Sequence, residues 1–588
     1  MKKLTKKMLC LVLAVLFVAS VFAGCNNNPA TESSAPSGDG SSATTSGGGS
    51  NADREKVNIT FSQPSTGIDN PDRWGDDPIK KAIEEAVNIE LTWHSGSDGY
   101  ETKLETDLMG GRAPDLFCNY GELEKTSKWI DEGMVTNIGE IIKADPERYP
   151  ILNMIINSPT YRMYNEYYSG DPDTTYALYA LTANISWAGV SVYNKALMNQ
   201  AGFEEAPKTV DEFVEFANTL GEQGVIGWWP RNNKLANTAG LNEMDKTICA
   251  PNGTTMMPPS GNAWEGFQPV DPENVEGEWK LMTTSEETKE CIKILADMYA
   301  KGGLDNSIGT KDDFAGATDD FVAGKIGAVN YGFSSYGQYD WIVTDKWLNG
   351  NPDGSYEDLV LGTPLSGDAG MAVSYNAPYW MGFNWFIPDS CENPERVLDL
   401  IEFIATDAGQ SLIFDGTEDM FTVDADGNIT RDADKWKEVN DIYNVVDGRT
   451  QYLWFIYLFA GSQEKLELES ATDWYEASMN TIKVDRYPEG PQKDYGTGVL
   501  DSYGLDAYGE LPAYFTIIPY SDEANEIRTQ LADITLRYIP AFIAGQKDID
   551  AEWDAYVAEY EAAGAAQIEQ EFNEGIQTAK AAYDSYQK

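Results

Sequence analysis

Along this chain, short runs of alternating apolar residues trade places with runs of helical spacing. Val57-Asn58-Ile59-Thr60-Phe61 alternates and predicts a strand; a helix is expected near Asp77–Ala86, then a strand at Ile89–His94. Tyr100 to Met109 reads as a helix ended by Gly110-Gly111, and Ala113–Phe117 as the next strand. Val190–Asn194 repeats the strand-to-helix texture, with a helix ending at Gly202. In Pro207-Lys208-Thr209-Val210-Asp211-Glu212-Phe213, Thr209 is placed to cap a helix with Glu212 as its box partner. Phe213, Phe216, Ala217 and Leu220 then fall on one face. Further on, Ile527, Leu531, Ile534 and Tyr538 form a stripe before Pro540, a predicted kink or stop. Asp550 is expected to cap a helix with Trp553, Tyr556, Val557 and Tyr560 inside, closed by Gly564; Ile568, Phe572, Ile576 and Tyr583 line the last helix. Strands separated by helices of this length predict an α/β protein with mainly parallel sheets flanked by helices and a helical C-terminal region.

The first 53 residues do not fit that texture. Lys2, Lys3, Lys6 and Lys7 precede an apolar run from Met8 to Ala23, the layout of a secretory signal. Val21-Phe22-Ala23-Gly24-Cys25 resembles the lipobox of bacterial lipoproteins, with Phe22 where leucine is usual. That resemblance implies cleavage after residue 24 and a diacylglyceryl chain on Cys25. The run is shorter than the roughly 20 apolar residues a spanning helix needs. From Asn26 to Asp53 the Ser, Thr, Gly, Asn and Pro composition has little to bury and predicts a flexible tether. The lipobox resemblance implies a chain anchored by lipid on the extracellular face of a membrane.

Charge narrows the partners. The chain carries 42 basic and 95 acidic residues, net −53, and near −57 once the four leader lysines are gone. Nucleic-acid affinity comes mainly from basic side chains neutralising phosphates, so nucleic acid is excluded as a partner. Cys118, Cys249, Cys291 and Cys391 form no CxxC pair and read as buried thiols or one incidental bridge. One histidine, His94, rules out chemistry needing two imidazoles, and no GxSxG elbow or GxxxxGK loop is present. No enzyme is expected, although a two-carboxylate glycosidase stays compatible with these residues.

Several segments together resemble one family. They include Leu108-Met109-Gly110-Gly111-Arg112-Ala113-Pro114-Asp115-Leu116, Tyr193-Asn194-Lys195-Ala196-Leu197, Phe321-Val322-Ala323-Gly324-Lys325-Ile326-Gly327-Ala328, Asp407-Ala408-Gly409-Gln410 and Trp553-Asp554-Ala555-Tyr556-Val557. In this order, behind a lipobox, they resemble extracellular solute-binding lipoproteins of carbohydrate-uptake ABC transporters, in particular the large LipO-like branch of Gram-positive bacteria. The resemblance implies a two-lobe periplasmic-binding-protein-like fold of type II, with residues 55–180 plus about 365–415 in one lobe and about 181–364 plus 416–588 in the other. It also implies a sugar held between the lobes, closure around it, and docking of a monomer on permease subunits. The acidic calcium loop of some larger relatives is missing after Leu220, and Asp424-Ala425-Asp426-Gly427-Asn428 reads as a hairpin turn. No metal or cofactor is expected.

A pyranose needs flat aromatic surfaces for its C–H faces and polar groups for its hydroxyl rim. The chain has 16 Trp and 32 Tyr. Trp228, Trp229, Arg231 and Asn232 cluster after a predicted strand, as do Tyr331, Tyr336 and Trp341. Trp380, Asn384 and Trp385 match the family's second lobe-crossing strand, Trp187 the first, and Tyr120 follows a strand end, where open α/β sheets place ligands. These twelve residues are the expected ligand contacts. The alternatives are a surface glycoside hydrolase, a peptide- or other small-solute-binding protein of the same architecture, and a sensing lipoprotein without a transporter.

Overall fold

A computed structural model of the chain describes residues 54–63, 75–95, 100–120, 123–179, 191–230, 238–305, 319–330, 347, 350–371, 374–376, 383–423, 429–443 and 508–587. The expected leader, Cys25 and the expected tether of residues 26–53 lie outside these residues. No helix among the described residues is long and apolar enough to cross a membrane.

Two separate sheets organise the molecule. The first has the order Ile89–Ser95, Val57–Gln63, Leu116–Tyr120, Phe383–Phe386, Ala177–Tyr179. Its first three strands are parallel, with Val57 opposite Ile89 and Phe61 opposite Leu116. Phe383–Phe386 arrives from far along the chain and runs antiparallel to both neighbours. The second sheet has the order Leu359–Leu361, Ser191–Asn194, Ile326–Asn330, Ile226–Trp229, and only its last pair is parallel. The expected mainly parallel sheets are therefore mixed. A helical crossover ties two strands to one direction. A strand returning from elsewhere in the chain carries no such constraint.

Local signals hold where a side chain can satisfy a helix end. Asp77 caps the helix Pro78–Val87, its Oδ1 accepting from Ile79 N at 2.8 Å. Thr209 Oγ1 accepts from Glu212 N at 3.2 Å at the start of Val210–Glu222. The returning Glu212 carboxylate reaches Lys208 N at 2.8 Å instead of Thr209 N, so the box is offset by one residue. Thr209→Ala is expected to cost about 1 kcal/mol in urea unfolding, the usual cap contribution. Three expectations shift. The strand predicted at Ala113–Phe117 runs Leu116–Tyr120, because Asp115 first turns its carboxylate to Thr60 N and Oγ1 at 2.8 and 2.7 Å. Asp548, not Asp550, caps Ile549–Ala562, leaving Asp550 to pair with Lys293 at 2.8 Å. Pro540 lies inside the helix Asp522–Ile543, which continues past it.

Packing follows the apolar stripes. Phe213, Phe216, Ala217 and Leu220 are buried against the second sheet, where Phe213 meets Trp228 edge-on at 5.1 Å. Gly227 allows that approach, since a Cβ there would collide with the Ala217 backbone. Phe117, Phe386 and Trp129 form the aromatic centre beneath the first sheet. At the C-terminus, Asp522–Ile543 packs on Glu286–Lys301, while Ala565–Tyr586 packs on Pro159–Ser169 beside the first sheet. Phe572 of that last helix stacks on Phe267 with centroids 4.1 Å apart. Ser374–Asn376 pairs with Tyr508–Glu510 in a short parallel ladder. Phe421–Val423 pairs with Ile429–Arg431 around residues 424–428, as an Asp-Gly hairpin requires; the turn itself lies outside the described residues.

Candidate ligand-binding site

Polar side chains gather where the apolar strands end. Val57–Gln63 buries Ile59 and Phe61 and finishes on Gln63; Leu116–Tyr120 buries Leu116, Phe117 and Cys118 before Asn119. Asn119 stands opposite Asn384, which stands opposite Tyr179 on the next strand. Residues in register share a face of a sheet, so these three make one row across three strands. The Tyr168 hydroxyl faces the Asn384 amide, and its ring stacks on Tyr179 with centroids 5.4 Å apart. Burial holds both phenols well above their ordinary pKa, so they act as neutral hydrogen-bonding groups. Tyr161 completes the cluster, its hydroxyl donating to Tyr179 O and accepting from Tyr179 N, each at 2.8 Å.

Neither Gln63 side-chain polar atom nor Asn119 Nδ2 has a hydrogen-bond partner, although both residues are almost fully buried. A dry, unpaired amide costs about 1–3 kcal/mol, so such positions point to water or ligand. Sequence reading missed Gln63 and the tyrosine cluster. The available signal was an amide closing an otherwise apolar strand.

The second sheet ends in the same way. Asn330 accepts from Trp228 Nε1 at 2.8 Å and from Ser191 Oγ, and donates to Thr247 Oγ1 at 2.7 Å. Beyond it stands a group of carboxylates. Asp245 accepts from Met256 N at 2.6 Å and Thr255 Oγ1 at 3.0 Å, while burial pushes its carboxyl up to about 6. Burial pushes Glu265 up to about 8, a rise that Asn262, Arg528 and Lys246 only partly oppose. The neighbouring Trp264 donates to Tyr375 O at 3.1 Å, and Tyr520 to Ala263 O at 3.1 Å.

These two carboxyls bind protons in the folded chain at pH values where the unfolded chain has released them. Their contribution to stability is therefore greatest in acid, falls as pH rises above the ordinary carboxyl range, and levels off above about 8. Glu265→Gln is expected to flatten that decline between pH 5 and 8 in urea melts. An unchanged slope would show that this carboxyl titrates normally.

The twelve expected contacts separate into groups. Trp228, Trp229, Asn384 and Trp385 are at most 2 % exposed, on short strands of the two sheets. The backbone of Tyr120 ends its strand opposite Phe383. Trp187, Arg231, Asn232, Tyr331, Tyr336, Trp341 and Trp380 lie outside the described residues. A hollow of about 460 Å³ lined by Pro519, Gln567, Glu571 and Glu574 belongs to the last helix, not to the strand ends. Among the described residues no group of three or more His, Cys, Asp or Glu is placed to hold a metal ion.

With this geometry in hand, the comparisons with known proteins give the class. Residues 72–411, more than half of the chain, match the family "Bacterial extracellular solute-binding protein", and the chain belongs to that family. No curated protein sequence matches it. Among solved structures, it is similar to the Streptococcus pneumoniae ABC-transporter substrate-binding protein FusA in complex with kestose. The identity is 14 % and the TM-score 0.58, over 89 % of this chain and 99 % of that one. It is also similar to an HMO-binding, ABC-transporter-associated solute-binding protein from Bifidobacterium longum infantis, at 16 % identity and TM-score 0.55 over 89 % and 98 %. An extracellular solute-binding protein from Bifidobacterium longum subsp. infantis gives 17 % and 0.58 over 91 % and 99 %. The fold is the two-lobe fold of solute-binding proteins, and the family is one of binding proteins.

Proposed function

We propose that this protein is the lipid-anchored capture subunit of an ABC importer, binding an oligosaccharide between its two lobes and handing it unchanged to permease subunits. The observation that carries the reading is the coincidence of two features. Both sheets end in buried amides and hydroxyls, and the segments that follow those ends concentrate Trp, Tyr, Arg and Asn. In this reading the stacking faces and rim donors are Trp187, Trp380, Trp341, Tyr331, Tyr336, Arg231, Asn232 and Tyr120. Trp228, Trp229, Asn384 and Trp385 hold those segments from beneath. Kestose in one protein of similar fold, and HMO binding in another, support a carbohydrate ligand.

A ligand touching both lobes binds the closed arrangement better, and only that difference shifts the population. Binding in the micromolar range, about −8 kcal/mol, is expected by calorimetry against neutral oligosaccharides. Trp380→Ala is expected to weaken it about tenfold, since one aromatic plane packed on a sugar face contributes on the order of 1.4 kcal/mol. Affinity unchanged in that variant would remove the residue from the site. Sugar recovered intact after long incubation separates capture from glycoside hydrolysis; shortened products would overturn the reading. Palmitate labelling lost in Cys25→Ala tests the anchor, and a wild-type chain that takes up no label would refute it. The protein acts as a monomer, without metal or cofactor.

A further inference from the structure

Two cysteines from different elements meet in the second lobe. Cys249 closes a π-helical turn, Asp245–Cys249, and Cys291 lies within the helix Glu286–Lys301. Both are free thiols in this structure, and they are 0 % and 2 % exposed. Cys291 Sγ lies 3.7 Å from Ile248 O and 3.7 Å from Asn252 Nδ2. It therefore sits against the turn that carries Cys249, between the Ile248 carbonyl and the Asn252 side chain. The Cys249 thiol is within hydrogen-bond reach of the Cys291 thiol and of the Asp245 carboxyl.

We propose that Cys249 and Cys291 are a modification site, a thiol pair that closes into a disulfide as the exported chain folds. The oxidant is a disulfide, either a low-molecular-weight one or that of a thiol oxidoreductase. One cysteine gives up its proton and attacks a sulfur of that disulfide, forming a mixed disulfide and releasing one thiolate. The second cysteine, deprotonated in turn, displaces the other thiolate. One S–S bond forms in the chain and one breaks in the oxidant, two electrons pass to the oxidant, and the chain loses two hydrogens. Extracellular proteins meet such oxidants, whereas cytosolic ones are kept reduced.

The position favours closure during folding over closure afterwards. Thiol attack needs the thiolate, and burial, the second thiol and Asp245 all hold Cys249 protonated in the folded lobe. Before the turn docks on the helix, both sulfurs are solvated and free to ionise. The bridge would span residues 250–290, which hold a long irregular stretch and one short hairpin, Phe267–Pro269 with Trp279–Leu281. Closing a loop of that size removes much of the freedom of the unfolded chain.

Refolding the whole wild-type chain from denaturant with a glutathione redox couple, and separately with dithiothreitol, tests the assignment. Alkylation and non-reducing peptide mapping should recover Cys249 and Cys291 in one linked pair after oxidative refolding, with Cys118 and Cys391 alkylated. The linked form should melt several degrees higher than the reduced form, and dithiothreitol should reverse both results. Cys291→Ser should abolish the link. Should that variant fail to fold, the wild-type map still decides. A natively folded, oxidatively refolded chain with both cysteines alkylated, or with Cys249 joined to another cysteine, overturns the proposal.

Discussion

Asn330→Ala is expected to lose about 4 kcal/mol of unfolding free energy, measured as a lower urea midpoint at unchanged slope. The side chain is fully buried and serves three partners at once. It accepts from the Trp228 indole at 2.8 Å and from the Ser191 hydroxyl, and donates to Thr247 at 2.7 Å. Alanine leaves all three partners in a dry site. Each stranded group costs about 1–3 kcal/mol, and the vacated volume adds to that. Asn330→Asp keeps both acceptor positions but loses the donor to Thr247 and introduces a buried charge, so it should be no milder. A loss below about 1 kcal/mol for the alanine variant would mean that water replaces the amide, and that the strand end is wet.

Asp399→Ala is expected to cost about 3 kcal/mol, with little sensitivity to salt. Three guanidinium groups converge on this carboxylate: Arg148 Nε at 2.7 Å, Arg54 Nη1 at 2.9 Å and Arg396 Nε at 3.2 Å. Arg396 also donates to Val87 O at 2.6 Å and Asn88 O at 3.0 Å, so it cannot swing out to water without breaking the end of the first helix. Removing the anion leaves like charges crowded in a half-dry place, the situation in which a broken ion pair costs about 3–5 kcal/mol. The partial exposure of Arg54 and Arg148 puts the expectation at the lower end. Arg148→Met in the same chain should recover part of the loss by removing one stranded charge. If 1 M salt restored the single variant fully, surface screening would explain the cluster.

What could be read from residues alone was mostly local. Asp77, Thr209 and the stripe Phe213, Phe216, Ala217, Leu220 act within one or two turns, so their consequences are fixed by neighbours in the sequence. The direction of Phe383–Phe386 is decided by Leu116–Tyr120, more than 250 residues earlier, and no local pattern encodes it. Asp550 and Asp548 offer the same capping chemistry, and only the position of Lys293 on another helix distinguishes their roles. The aromatic residues show the same limit. An indole at a strand end looks alike in sequence whether it faces solvent or a covering helix. Trp228 and Trp385 turned out to be covered, whereas the amides beside them, Asn119 and Gln63, carry the unfilled hydrogen-bonding capacity.

The last helix has a mechanical consequence. Its Tyr586 hydroxyl meets Glu166 at 2.5 Å and its ring lies under Arg162, while Tyr164 reaches Thr516 at 3.1 Å. The same helix stacks Phe572 on Phe267 at the other end. In the capture reading proposed above, rocking of one lobe against the other would turn about this edge as a fulcrum. Displacement then grows with distance from it, so a pair of spin labels astride Tyr586 and Glu166 should hold a constant separation while a pair at the far lip opens and shuts with ligand.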